Sequence, residues 1–116
     1  MAQTTPLMTA AVLTASGQTA AISAQSLDAL ALAEDAQVSI EVTATAVGGT
    51  TPSAQFSVLW SDDGTHWASE SDNIGAALTA AGSVLGTFPV RGAFLALAYS
   101  ISGTTPSFTV SAEAHI

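Results

Sequence analysis

Four stretches of this chain alternate between apolar and small polar residues, and that period of two decides what it can fold into. From Ala36 to Val47, Val38, Ile40, Val42, Ala44 and Ala46 fall on one face, with Ser39, Glu41, Thr43 and Thr45 on the other. Gln55 to Trp60 puts Phe56, Val58 and Trp60 together. Ala93 to Ile101 directs Leu95, Leu97, Tyr99 and Ile101 one way, with Ala96, Ala98 and Ser100 between them. Ser107 to Ala114 alternates Phe108, Val110, Ala112 and Ala114 with Ser107, Thr109, Ser111 and Glu113. Such a pattern is a half-buried strand. Weaker strands are expected at Leu7–Leu13, Thr19–Ser23 and Val84–Phe88. The segment Ser26 to Asp35 has good helix formers but no far cap, so it reads as a connection with at most one helical turn. About six to eight short strands predict an all-β fold, an antiparallel β-sandwich or jelly-roll-like single domain. That domain takes in residues 1–116, with residues 1–17 an extended N-terminal arm.

The pentapeptide Gly49-Thr50-Thr51-Pro52-Ser53 recurs letter for letter as Gly103-Thr104-Thr105-Pro106-Ser107. Each copy lies between two alternating segments. Gly tolerates positive φ and Pro cannot donate to a ladder, so Gly49, Pro52, Gly103 and Pro106 read as hairpin turns. Two such hairpins suit a sandwich with one in each sheet, and are compatible with a duplication.

Composition removes function classes. The chain of 116 residues has one basic residue, Arg91, against nine acidic ones, for a net charge of −8. Nucleic-acid binding needs several Lys or Arg on phosphates, and an anionic membrane surface needs the same. Neither partner is expected. No cysteine is present, which rules out disulfides, thiolate catalysis and Cys-ligated zinc. The N-terminus carries no positive charge and no long apolar run, so no secretory signal is expected and the chain reads as a soluble protein made in a cytoplasm. No run reaches the length of a membrane span. Charged residues are only 9% of the chain, so its surface must consist mostly of Ser, Thr, Ala, Gln and Gly. A GC-rich genome could impose that bias. The alternative is a surface buried against other subunits, because stripping water from charges is costly and interface cores are depleted in them.

Candidate sites are few. In Trp60-Ser61-Asp62-Asp63-Gly64-Thr65-His66-Trp67, the Asp-Gly pair signals a hairpin, and Asp carboxylates cap such turns. Calcium ligation is the weaker reading, since no EF-hand spacing follows. Trp60 shares parity with Phe56 and Val58 and reads as core. Trp67 follows the turn, half-exposed, where it packs over it or offers a platform to a sugar. His66 and His115 with scattered acids make neither a triad nor a metal site, so no cofactor, metal or catalytic residue is assigned. Arg91 enters the strand at Ala93, as an ordinary surface charge or as an anchor for a partner's carboxylate.

The C-terminal half has a recognisable order. A strand ends at Trp60, followed by the Ser61–Trp67 turn, a segment containing Leu78-Thr79-Ala80-Ala81-Gly82 and the apolar-Pro step Phe88-Pro89-Val90. The strand Ala93–Ile101, the turn Ser102–Pro106 and the strand Ser107–Ala114 close it. This resembles the capsid cement, or head decoration, proteins of tailed bacteriophages, well over residues 55–114 and loosely elsewhere. The strand after the Pro step reads Ala93-Phe94-Leu95-Ala96-Leu97, with Ala where such proteins often carry a second Arg. The resemblance implies a β-sandwich, commonly trimeric, on the outer surface of the head, where it contacts the major capsid protein and braces adjacent capsomers. Arg91 and the segment Thr4, Thr5, Pro6 and Leu7 are the expected contacts with neighbouring subunits or the capsid. The protein is then a virion component assembled in the host cytoplasm and not an enzyme. The rival readings are another phage part, such as a tail or head–tail joining protein, and a carbohydrate- or host-binding β-sandwich module.

Overall fold

The computed structural model describes residues 4–19, 22–23, 37–69, 71–89, 92 and 94–115. The expected connection at 26–35 and Arg91 lie outside the described residues. Among these residues seven strands follow in order: β1 (Thr4–Leu13), β2 (Gly17–Gln18), β3 (Ile22–Ser23), β4 (Gln37–Ser61), β5 (Asp72–Asn73), β6 (Gly82–Pro89) and β7 (Phe94–His115). No helix occurs among the described residues. The fold is an antiparallel β-sandwich, as the alternation predicts.

The two Gly-Thr-Thr-Pro-Ser copies do not close hairpins. β4 and β7 run through them and pair with each other almost end to end, from Ser39↔His115 to Ser61↔Phe94. The four alternating segments are therefore two long bent strands. At the bend Thr50 faces Thr104, and the register shifts on both sides of that pair. Gly49 and Gly103 have φ of 100° and 119°, while Thr51 and Thr105 have 49° and 48°. A Cβ on Gly49 would lie 2.5 Å from the Thr105 carbonyl oxygen and 2.9 Å from Pro106 Cα. One on Gly103 would lie 2.8 Å from the Thr51 oxygen and 2.9 Å from Pro52 Cα. Each glycine thus makes room for the other copy, and the bulged crossing bends both strands so that the sheet folds onto itself.

The bend is a pseudo-twofold axis. Exchanging the motif copies turns the pairs Gly48↔Ser107, Val47↔Phe108 and Ala46↔Thr109 into Ser53↔Ser102, Ala54↔Ile101 and Gln55↔Ser100, all of which occur. The outer strands obey the same exchange. β1 flanks the C-terminal half of β7, and β5 flanks the C-terminal half of β4. β2 and β3 flank the N-terminal half of β7, and β6 flanks the N-terminal half of β4. Two consecutive runs, β1–β4 and β5–β7, are thus topologically equivalent, and the short strands of each pair with the long strand of the other.

Two layers result. The first is β1, the C-terminal half of β7, the N-terminal half of β4, and β6. The second joins β2 and β3, the N-terminal half of β7, the C-terminal half of β4, and β5. Val38, Ile40, Val42, Phe56, Val58, Trp60, Leu95, Leu97, Phe108 and Val110 are buried from both layers in one core. At roughly 25 cal/mol per Å² of apolar surface, these side chains supply most of the drive to fold.

The expected N-terminal arm is a strand of this chain's own sheet. Thr4 pairs with His115, Thr5 with Ala114 and Pro6 with Glu113. Leu7 is partly buried and packs against the core, and Pro6 is exposed. Register shifts on either side of Met8 and a φ of 45° at Ala10 mark bulges in β1. There the Ser111 hydroxyl accepts from the Ala10 amide at 3.0 Å.

Candidate functional site

The turn after β4 is built around Ser61, the one buried polar residue among the described ones. Its hydroxyl accepts from the amides of Gly64 at 2.9 Å and Asp63 at 3.3 Å, and donates to the His66 carbonyl at 2.6 Å. Asp63 Oδ1 accepts from the amides of His66 at 2.8 Å and Thr65 at 2.9 Å, and Oδ2 lies 2.6 Å from His66 Nδ1. The two amide donors, His66 first and then Thr65, with the imidazole beside them, hold the Asp63 carboxyl well below the usual carboxylate range. Gly64, with φ of 81°, supplies the left-handed step. A bridge between Ser61 and Trp67 and a bond from the Ala68 amide to the Trp60 carbonyl at 3.0 Å close the loop.

Beside this turn lies an open cleft of about 420 Å³, lined by Trp60, Ser61, Asp62, Asp63, His66, Trp67 and Ala68. Trp60 is 5% exposed and belongs to the core, yet its buried indole Nε1–H has no acceptor. Trp67 is half-buried and Asp62 is exposed. Asp63 is spent on its own loop, which leaves Asp62 as the carboxylate open to a visitor.

On the outer face of the first layer, hydroxyls pair across strands: Ser39 with Thr87 at 2.8 Å and Thr43 with Ser83 at 3.1 Å. Leu85 on β6 and Val12 on β1 stand 60% and 64% exposed at the two edges. One row across this face runs Leu85, Glu41, Glu113 and Pro6. Glu41 and Glu113 are direct cross-strand partners, and their oxygens and a His115 nitrogen lie within 4.8 Å of one another. Like charges so placed repel, and three such groups could ligate a cation only partially. Sequence reading missed both this trio and the hub at Ser61. The outward parity of Glu41 and Glu113 is readable, but their juxtaposition depends on the register of β4 against β7.

No protein-family model and no curated protein matches the sequence. The chain is similar to the CBM22-1 xylan-binding domain from Paenibacillus barcinonensis Xyn10C, with 14% identity and a TM-score of 0.54 over 97% of this chain and 84% of that one. It is also similar to a chain in the structure of infectious bursal disease virus Gx strain, with 13% identity and a TM-score of 0.50, over 99% of this chain and 31% of that one. A third likeness, at 15% identity and a TM-score of 0.47, is to the CBM22-1-GH10 modules of Clostridium thermocellum xylanase 10B; the chain covers 17% of that protein. At these identities the kinship is one of fold: a β-sandwich shared by a polysaccharide-binding module and a viral chain.

Proposed function

We propose that the protein is a virion structural protein of the capsid cement type. In this reading it sits on the outer surface of a tailed-phage head as a homo-oligomer, with a trimer expected, contacts the major capsid protein and braces adjacent capsomers. The role is structural, with no catalytic residue and no cofactor. The observation that carries the reading is the outer face of the first layer, where hydroxyl pairs Ser39–Thr87 and Thr43–Ser83 lie on either side of the Glu41–Glu113 row and Leu85 and Val12 stand exposed at the edges. Short neutral side chains lose little rotamer entropy on burial, and burying them strips water from few charges. The resemblance of residues 55–114 to cement proteins and the likeness in fold to a viral chain point the same way. The net charge of −8 suits an outward position, since a surface toward packaged DNA would favour Lys and Arg.

Attachment in this reading rests on apolar and neutral polar contacts, so it resists salt. Salt screens exposed ion pairs beyond a Debye length of about 10 Å at 0.1 M but leaves apolar burial intact. The test titrates NaCl against particles carrying the protein and counts bound copies by gel. Retention in molar salt is expected, with release in denaturant. Release of most copies below about 0.5 M salt, where the Debye length is only a few Å, would overturn the mode of attachment. Failure of the protein to bind phage heads at all would overturn the function. Arg91→Ala is expected to lower occupancy without unfolding the domain.

A further inference from the structure

We infer that this chain is poised to exchange halves with a second copy of itself, β1–β4 of one molecule pairing with β5–β7 of the other, independently of any docking to a capsid. Among the described residues, every strand pairing joins one run to the other, and none lies within a run. Hydrogen bonds between distant residues obey the same division, as in Ala54 with Leu78, Thr19 with Leu97, Gln55 with Gly75 and Ser39 with Thr87. The core is divided too. Val38, Ile40, Phe56 and Val58 come from the first run, and Leu95, Leu97, Phe108 and Val110 from the second. Each run therefore finds the cover for its apolar face in the other. A second copy offers the same strands in the same register, so every rung and core contact can be rebuilt between molecules. Exchange of an identical element is a low-cost route to a dimer for that reason.

The hinge is the turn after β4, through which the two runs are joined. Its bonds are local: Ser61 with Gly64 and His66, Asp63 with Thr65 and His66, and Trp60 with Ala68. Opening the turn gives these up and leaves the pairing of the sheet to be remade in full. What opposes exchange is the tether, which keeps the second run at an effective concentration of about 1 mM, so at micromolar concentrations each chain closes on itself. Gly64 sets that balance. Its φ of 81° is needed where the turn is closed. Proline, held near φ −65° and lacking the amide that donates to Ser61, does not fit the closed turn and is accommodated by an open, extended hinge.

The test uses the absence of cysteine from the chain. Glu41 and Glu113 are exposed, direct partners across β4 and β7. Glu41→Cys and Glu113→Cys are made in separate full-length chains, unfolded together and refolded at about 10 µM and about 1 mM, below and at the effective concentration of the tether. In an exchanged dimer the two cysteines face each other across molecules, and in a closed monomer neither has a partner. Non-reducing gels should show a disulfide-linked dimer that increases with refolding concentration and is missing when the folded proteins are mixed. Adding Gly64→Pro to both chains should raise its share at a given concentration at least about tenfold, since proline where φ is positive penalises the closed turn alone. Light scattering should show the same dimer without any cysteine. Equal cross-linking of folded and co-refolded mixtures would mean surface association and overturn the inference. So would a Gly64→Pro chain that refolds as a monomer at about 1 mM, where the tether no longer favours closure.

Discussion

The two layers of this sandwich have the same plan and different finish. In the first, β1 and β6 run beside the long strands for ten and eight residues, and the outer face carries hydroxyls crossed by the Glu41–Glu113 pair. In the second, the corresponding flanks among the described residues are β2, β3 and β5, of two residues each. The pseudo-twofold axis relates these flanks, so the fold itself does not impose the difference. Where the flank is long, the layer is four strands wide. On the side flanked by the short β5, a turn rises beside Trp60 and a cleft opens. Symmetry is kept at the bend, where geometry demands it, and relaxed at the edges, where it does not.

The largest effect should come from breaking the bend. Gly49→Ala and Gly103→Ala each force a Cβ against backbone of the other copy at a positive φ, and each should cost about 3 kcal/mol or more. Thermal denaturation of both variants measures this. Similar losses would confirm that the copies are equivalent; a harmless change at one would end the comparison. Next is Ser61→Ala, which removes the hub of the turn and the partner of the part-buried Asp63 and Gly64 amides, for about 1 kcal/mol or somewhat more. Hydrogen exchange should then quicken at residues 62–68 and not along β6, confining the damage to the second layer. Gly64→Val, at a φ of 81°, should cost about 1 kcal/mol or more.

A smaller effect lies in pH. Folding depresses the Asp63 carboxyl below its unfolded value of about 3.9. Its contribution is therefore present above that value and lost as acid titrates it through the lower, folded one. Melting temperature should fall less between pH 5 and 2 in Asp63→Asn than in wild type, and equal slopes would refute the role. Smallest of all, EDTA should leave the melting temperature unchanged, because the Asp63 oxygens are already occupied by N–H donors and imidazole.

The strands were legible because period two is a local property, and Val38 through Ala44 and Phe108 through Ala114 sit on the faces their parity assigns. The role of the repeated pentapeptide was not. Gly and Pro announce a departure from straight strand, but whether the chain reverses or merely bends depends on what lies opposite. Here the opposite element is the second copy, far away in sequence. The same reason hid the Glu41–Glu113–His115 trio. The turn at Asp63-Gly64 could be read because its partners, Ser61 to His66, are all within a few residues. The unpaired N–H of Trp60 could not, since burial and partner are both tertiary facts.

The exchange of partners between the two runs also sets an order on synthesis. Nothing described up to Ser61 pairs within its own run: β1, β2 and β3 wait for β7, and β4 waits for β5, β6 and β7. A ribosome must therefore deliver β5 and β6 before rungs can close on β4, and β7 before β1, β2 or β3 has any partner. Distant pairing of this kind folds slowly, on the order of milliseconds to seconds, and meanwhile two long strands with open edges are exposed to their neighbours. Repulsion among chains of like charge, and bends that spoil a flat edge, then keep newly made copies apart until β7 arrives.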